Sequence, residues 1–222
     1  MIYCSSLNII FFKTKKVGGT SFEITLSKYC NSTDIVTPIT TEDENIRVKL
    51  GYQSPINYRA EQRTKDLINQ DITGDFKNHM TSKNIYENMG KKLFNKCTKI
   101  AIHRDPLDFL ISQYFFRMKK SQTEKQSFSE WLSLNYKNVI ENYKIAPLDG
   151  IYAPDIILRY DTLNDDIKNT KELPKDFICV FNTLNAKGNF RPPDSRKTKS
   201  FFQKNGCENY IPKIIELTKE YE

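Results

Sequence analysis

The stretch from Leu7 to Cys30 constrains this chain more than any other: an apolar run, Leu7 to Phe12, empties into a lysine-rich turn with two adjacent glycines. Leu7 to Phe12 is short, apolar and aromatic, as buried strands are, and Phe22, Leu26, Tyr29 and Cys30 then return at helical spacing. Strand, tight turn and helix in that order make a phosphate cradle. Gly18 and Gly19 let the main chain approach an anion, the N–H groups of the first helical turn point at it, and Lys13, Lys15 and Lys16 supply charge. Thr20 or Ser21 is expected to cap the helix. The order differs from a Walker A loop, in which lysine follows the glycines; here it precedes them. Taken alone, the segment also suits a solvated basic turn before an ordinary helix.

A second junction of the same kind lies further along. Lys99 to His103 reads as a buried strand and runs into Arg104, Asp105 and Pro106, the last suited to a first helical turn. Leu107, Leu110, Ile111, Tyr114, Phe115 and Met118 form an apolar stripe, with Ser112 off it. A guanidinium can fork onto phosphate oxygens and a hydroxyl can add a further bond. The bland role for Arg104 is a salt bridge to Asp105 or Asp108.

Strand candidates at 7–12, 34–37, 99–103, 155–160 and 176–181 alternate with helix candidates at 20–30, 82–94, 105–119, 128–143, 163–173 and 208–221. That is an α/β pattern with a central parallel sheet flanked by helices, in which ligands bind beyond the carboxyl ends of the strands. At 222 residues the chain is expected to be one domain, with 38–78, polar and weakly periodic, as substrate-facing loops or a lid. Phe128, Trp131, Leu132, Val139 and Tyr143 sit near helical spacing and read as core.

Lys plus Arg, 34, against Asp plus Glu, 27, gives a net charge of +7, which favours anionic partners without naming one. No stretch approaches the ~20 apolar residues of a membrane span, and Met1 to Phe12 lacks the layout of a signal peptide. Cys4, Cys30, Cys97, Cys179 and Cys207 are scattered, odd in number and without a C-x-x-C pair, which argues against a zinc site or a disulfide framework and for a reducing cytosol.

The order K-x-G-G-T-S after a strand resembles the 5′-phosphosulfate loop of sulfotransferases that use 3′-phosphoadenosine 5′-phosphosulfate (PAPS). Arg104-Asp105-Pro106 with Ser112 resembles the 3′-phosphate motif of the same family, and Arg159-Tyr160-Asp161 with Leu163 resembles one of its scaffold strands. The resemblance implies a P-loop-kinase-like three-layer fold, PAPS as donor, adenosine 3′,5′-bisphosphate as product and no metal. It places Lys13, Thr14, Lys15, Lys16, Val17, Gly18, Gly19, Thr20 and Ser21 under the 5′-phosphosulfate, with Lys16 as the catalytic lysine. Arg104 and Ser112 fall at the 3′-phosphate, and Arg191 in a basic loop over 187–197 that folds across the nucleotide. The Lys13 to Lys16 run is closer to the carbohydrate-sulfating branch, so the implied acceptor is a glycan hydroxyl, with neither nucleic acid nor membrane as partner. Two positions depart from the family pattern: Lys15 stands where proline is common, and Phe109 where many members carry arginine.

Sulfuryl transfer to a hydroxyl is an in-line displacement that depends on positioning and charge stabilisation, and it needs a base. The chain has two histidines. His79, between the two motifs in a His-x-Thr setting, matches the position of the catalytic histidine in glycan-sulfating relatives; Glu23 is the weaker alternative. His103, at a strand end, reads as a packed or hydrogen-bonded residue. A kinase-like nucleotide enzyme and a non-catalytic basic module binding nucleic acid or acidic polymer are the competing readings.

Overall fold

A computed structural model of the chain describes residues 1–63, 67, 72–120, 126–184 and 191–221. The 187–190 part of the expected basic loop lies outside them. The centre is a five-stranded sheet of order β3-β1-β2-β4-β5, built from β1 (Ile2–Cys4), β2 (Ile9–Phe12), β3 (Ile35–Val36), β4 (Thr98–His103) and β5 (Ile156–Arg159). The pairs β2/β4 and β4/β5 are parallel, whereas β1 pairs antiparallel with both β2 and β3. The parallel sheet read from sequence is therefore the functional half of a mixed one.

Alternation along the strands assigns their two faces. Ile9 and Phe11 join Ile100, Ile102 and Leu158 on the side covered by α1 (Gly19–Ser27), α8 (Leu163–Asn169) and α9 (Phe177–Thr183). Ile10, Phe12 and Ala101 face the opposite side, against α3 (Ser82–Met89) and α4 (Lys91–Lys96). Aromatic pairs fasten both layers: Phe11 lies 4.4 Å from Phe22, and Phe12 6.0 Å from Phe94. A third apolar cluster joins α5 (Pro106–Lys120), α6 (Phe128–Asn135), α10 (Thr198–Lys204) and α11 (Tyr210–Lys219). Phe128, Trp131, Leu132, Val139 and Tyr143 are all buried there, as core.

Several elements differ from the expectation. Residues 177–183 are helix α9, not a strand: Phe177 is buried against Phe22 and Tyr29, so packing on α1 overrides the β propensity of the Phe-Ile-Cys-Val run. The helix expected over 82–94 breaks at Gly90, whose φ of 81° and ψ of 144° no right-handed helix accommodates. The one over 128–143 breaks at a 3₁₀ turn, Tyr136–Val139, and resumes as α7 (Ile140–Ile145). Within 38–78, Thr41–Lys49 is helix α2, capped by Thr40, and Leu67, Ile72 and Phe76 are buried under the sheet. The few apolar residues of those parts are too widely spaced for a periodicity reading to find. Among the described residues no helix is long and apolar enough to cross a membrane.

Candidate active site

β2 delivers the chain to Lys13, and long-range bonds hold residues 13–16 of the turn. The Thr14 hydroxyl donates to the Ile102 carbonyl on β4. Asn142, a buried side chain of α7, clamps the main chain of Lys15: its Oδ1 accepts from the Lys15 N–H at 2.7 Å and its Nδ2 donates to the Lys15 carbonyl at 3.0 Å. The Lys15 ammonium pairs with Glu141.

Lys16 and Gly18 then adopt left-handed conformations, φ 62° and 75°. At Gly18 glycine relieves that strain; at Lys16 the surroundings must hold it. The N-cap of α1 is Gly18, so neither Thr20 nor Ser21 caps the helix; Ser21 Oγ instead donates to the Leu184 carbonyl at 3.1 Å. No side chain caps the first turn of α1 and no acid stands in it. Its N–H groups have no intrahelical partner, the arrangement that suits a helix start to an anion. The Lys16 ammonium lies 3.7 Å from the centre of the Phe116 ring. Val17 is buried in the core beneath the turn.

Lys13 points away from that anion site. Its ammonium lies 2.5 Å from Glu23, and both side chains are buried. Burial alone would raise the Glu23 pKa, but Lys13 and the amino group of Met1 outweigh it and hold the carboxyl at about 2. Enclosed and doubly paired, Glu23 has little tendency to take up a proton near pH 7.

At the second junction, Arg104 makes three contacts at once. Nη1 donates to the Lys16 carbonyl at 2.5 Å, Nε donates to Asp108 Oδ2 at 2.6 Å, and the guanidinium stacks on Tyr160 at 4.0 Å. The salt bridge to Asp108 thus forms, but as part of the mount that holds Arg104 against the turn. Asp105 instead accepts from the Asp108 N–H at 2.8 Å in the first turn of α5. Asp108 also accepts from Arg191 and from the Thr198 hydroxyl, the latter at 3.2 Å. Burial would raise its pKa, but Arg104 and Arg191 hold the carboxyl below its usual range. Ser112 lines the same cleft, and Phe109, where a family arginine was noted as missing, is buried core.

The two histidines separate cleanly. His103 Nε2 lies 2.8 Å from the Ala146 carbonyl and its ring packs edge-on to Tyr143, the hydrogen-bonded role read from sequence. His79, at φ 58°, bonds through Nδ1 to the Lys13 carbonyl at 2.9 Å. A carbonyl only accepts, so Nδ1 carries the proton and Nε2 keeps its lone pair. Burial, then the charge of Lys13, lower the His79 pKa to about 4, so the ring is neutral near pH 7.

Every residue named from sequence as a nucleotide contact, together with His79, lines one open cleft of about 1830 Å³ at the carboxyl ends of β2 and β4. Both strand-to-helix junctions, on the adjacent parallel strands β2 and β4, thus open onto one cleft. Asn142, Asp108 and Tyr160 escaped the sequence reading as site residues; only the i, i+4 spacing of Arg104 and Asp108 signalled one of them.

A protein-family model described as "Sulfotransferase family" matches residues 1–216. No curated protein and no solved structure matches the chain. With nearly the whole length matched and both motif junctions on one cleft, the chain belongs to the sulfotransferase family, whose chemistry is sulfuryl transfer.

Proposed function

We propose that the protein moves the sulfuryl group of PAPS to a carbohydrate hydroxyl by in-line displacement, with Lys16 stabilising the leaving group and His79 acting as base. The observation that carries this reading is the bond from Arg104 Nη1 to the Lys16 carbonyl, because it joins the arginine of one phosphate motif to the lysine of the other. In this reading the first turn of α1 binds the 5′-phosphate side, and Arg104 with Ser112 takes the 3′-phosphate.

Lys16 lies at the turn where charge builds as the bisphosphate departs, and a preformed cation there lowers the barrier most. His79, neutral with its Nε2 lone pair available, takes the acceptor proton. Asn142 and the Thr14 hydroxyl hold the turn in place, so the loop needs no rearrangement when the donor enters. The Lys13 to Lys16 run and the His79-Met80-Thr81 setting support a carbohydrate acceptor by resemblance.

Calorimetric titration with adenosine 3′,5′-bisphosphate, without metal, tests the donor assignment. Saturable binding is expected; absence of heat at protein concentrations where a micromolar ligand saturates would overturn it. Preferential stabilisation by ATP with magnesium in a melting assay would instead favour a kinase-like enzyme.

A further inference from the structure

The scatter of cysteines along the sequence hides one pair that the tertiary structure brings together. Cys4 ends β1 and Cys30 follows α1, and their sulfurs, with a carboxylate oxygen of Asp34, lie within 4.8 Å of one another. Cys4 is buried and Cys30 half-buried. Asp34 ties the two segments that carry them: Oδ1 accepts from the Ser5 N–H at 2.8 Å and Oδ2 from the Asn31 N–H at 2.7 Å. Both carboxylate oxygens accept main-chain bonds, which fixes the two cysteine-bearing segments against each other.

We propose that Cys4 and Cys30 form an oxidation site that closes to a disulfide when hydrogen peroxide is the oxidant. Peroxide reaches the half-buried Cys30 and oxidises its thiol to a sulfenic acid, releasing one water. The Cys4 sulfur then attacks that sulfur: the S–S bond forms, the S–O bond breaks, and the departing hydroxyl leaves with the Cys4 proton as a second water. The neighbouring Cys30 sulfur, and the Ser6 hydroxyl 3.3 Å from Cys4 Sγ, lower the Cys4 pKa and so favour Cys4 as the attacking group. The neighbouring Cys4 sulfur, with burial, raises the Cys30 pKa and slows the first step.

The ring so closed encloses β2, the phosphate turn and α1, the unit that builds the anion site. Closure restricts the unfolded chain more than the folded one, so the oxidised protein is expected to melt about 5–10 °C higher. The proposal does not depend on sulfuryl transfer.

The test uses the full chain with Cys179→Ser, which removes an exposed thiol from side reactions. Peroxide treatment, quenching and peptide mapping should show two thiols lost and Cys4 linked to Cys30, with the melting shift reversed by reductant and absent in Cys30→Ser. Four titratable thiols remaining, linkage to any other cysteine, or Cys30 recovered as a sulfinic acid would overturn the proposal. So would stoichiometric zinc binding that shields both thiols from peroxide.

Discussion

Arg104 donates from Nη1 to the main-chain carbonyl of Lys16 at 2.5 Å, across the gap between β2 and β4. This bond helps to hold the left-handed turn at Lys16 and joins the two motif junctions at one edge of the cleft. On the proposed 3′-phosphate role, Arg104→Ala is expected to weaken bisphosphate binding by about 10- to 100-fold. Adenosine 5′-monophosphate should lose much less, and equal losses for both nucleotides in calorimetry would place Arg104 away from the 3′-phosphate.

Lys16→Ala should separate binding from chemistry. A cation that acts on the leaving group contributes in the transition state, so kcat is expected to fall by about 100- to 1000-fold. Bisphosphate affinity should change by less than about tenfold. A variant with wild-type kcat and weakened binding would make Lys16 a docking charge only.

The His79 assignment carries a pH signature. Burial and Lys13 depress its pKa to about 4, so the neutral base form is present above that value and is lost as pH falls through it. The acidic limb of kcat/KM, which reports the free enzyme, is expected near pH 4. The limb of kcat should lie higher, since bound phosphates favour the imidazolium. His79→Ala should remove the limb and lower kcat by about 100-fold or more; an unchanged limb would transfer the role to another group.

Glu23 is expected to govern stability instead. Its pKa of about 2 lies below the unfolded value, so its stabilising contribution is full above roughly pH 5 and is lost as pH falls toward 2. Glu23→Gln leaves the Lys13 ammonium buried without its counter-ion and should cost roughly 3–5 kcal/mol at neutral pH. Loss of turnover with thermal stability intact would revive Glu23 as the base.

Asp108 joins Arg104 to Arg191, so Asp108→Asn tests positioning. The amide keeps the shape but surrenders the charge that orients both guanidiniums. Bisphosphate binding is expected to weaken by about tenfold, with 5′-monophosphate binding unchanged. An equal effect on both nucleotides in the same titration would point to general destabilisation.

Residues 7–30 and 98–120 were legible because their signals are local. Strand composition, adjacent glycines, a proline at the first turn of α5 and a stripe of apolar residues all act within a few residues, and they placed both motif junctions. The cap at Gly18 was misread because hydroxyl residues cap helices only when the chain enters in an extended conformation, and here it enters through a left-handed one. Strand β1, three residues long, carries too little pattern to be seen, and α9 carries strand-like residues that α1 converts to helix.

The sequence by itself therefore determined most of the alternating elements, the two strand-to-helix motif junctions and the side chains available for chemistry. Only the tertiary structure decided how those side chains are used. It clamps Lys15 with Asn142, diverts Lys13 into Glu23, mounts Arg104 on Asp108 and Tyr160, and sets Cys4 beside Cys30. Turn and helix signals reside in neighbouring residues, whereas these pairings join partners far apart in the chain and exist only once the sheet and its helices have packed.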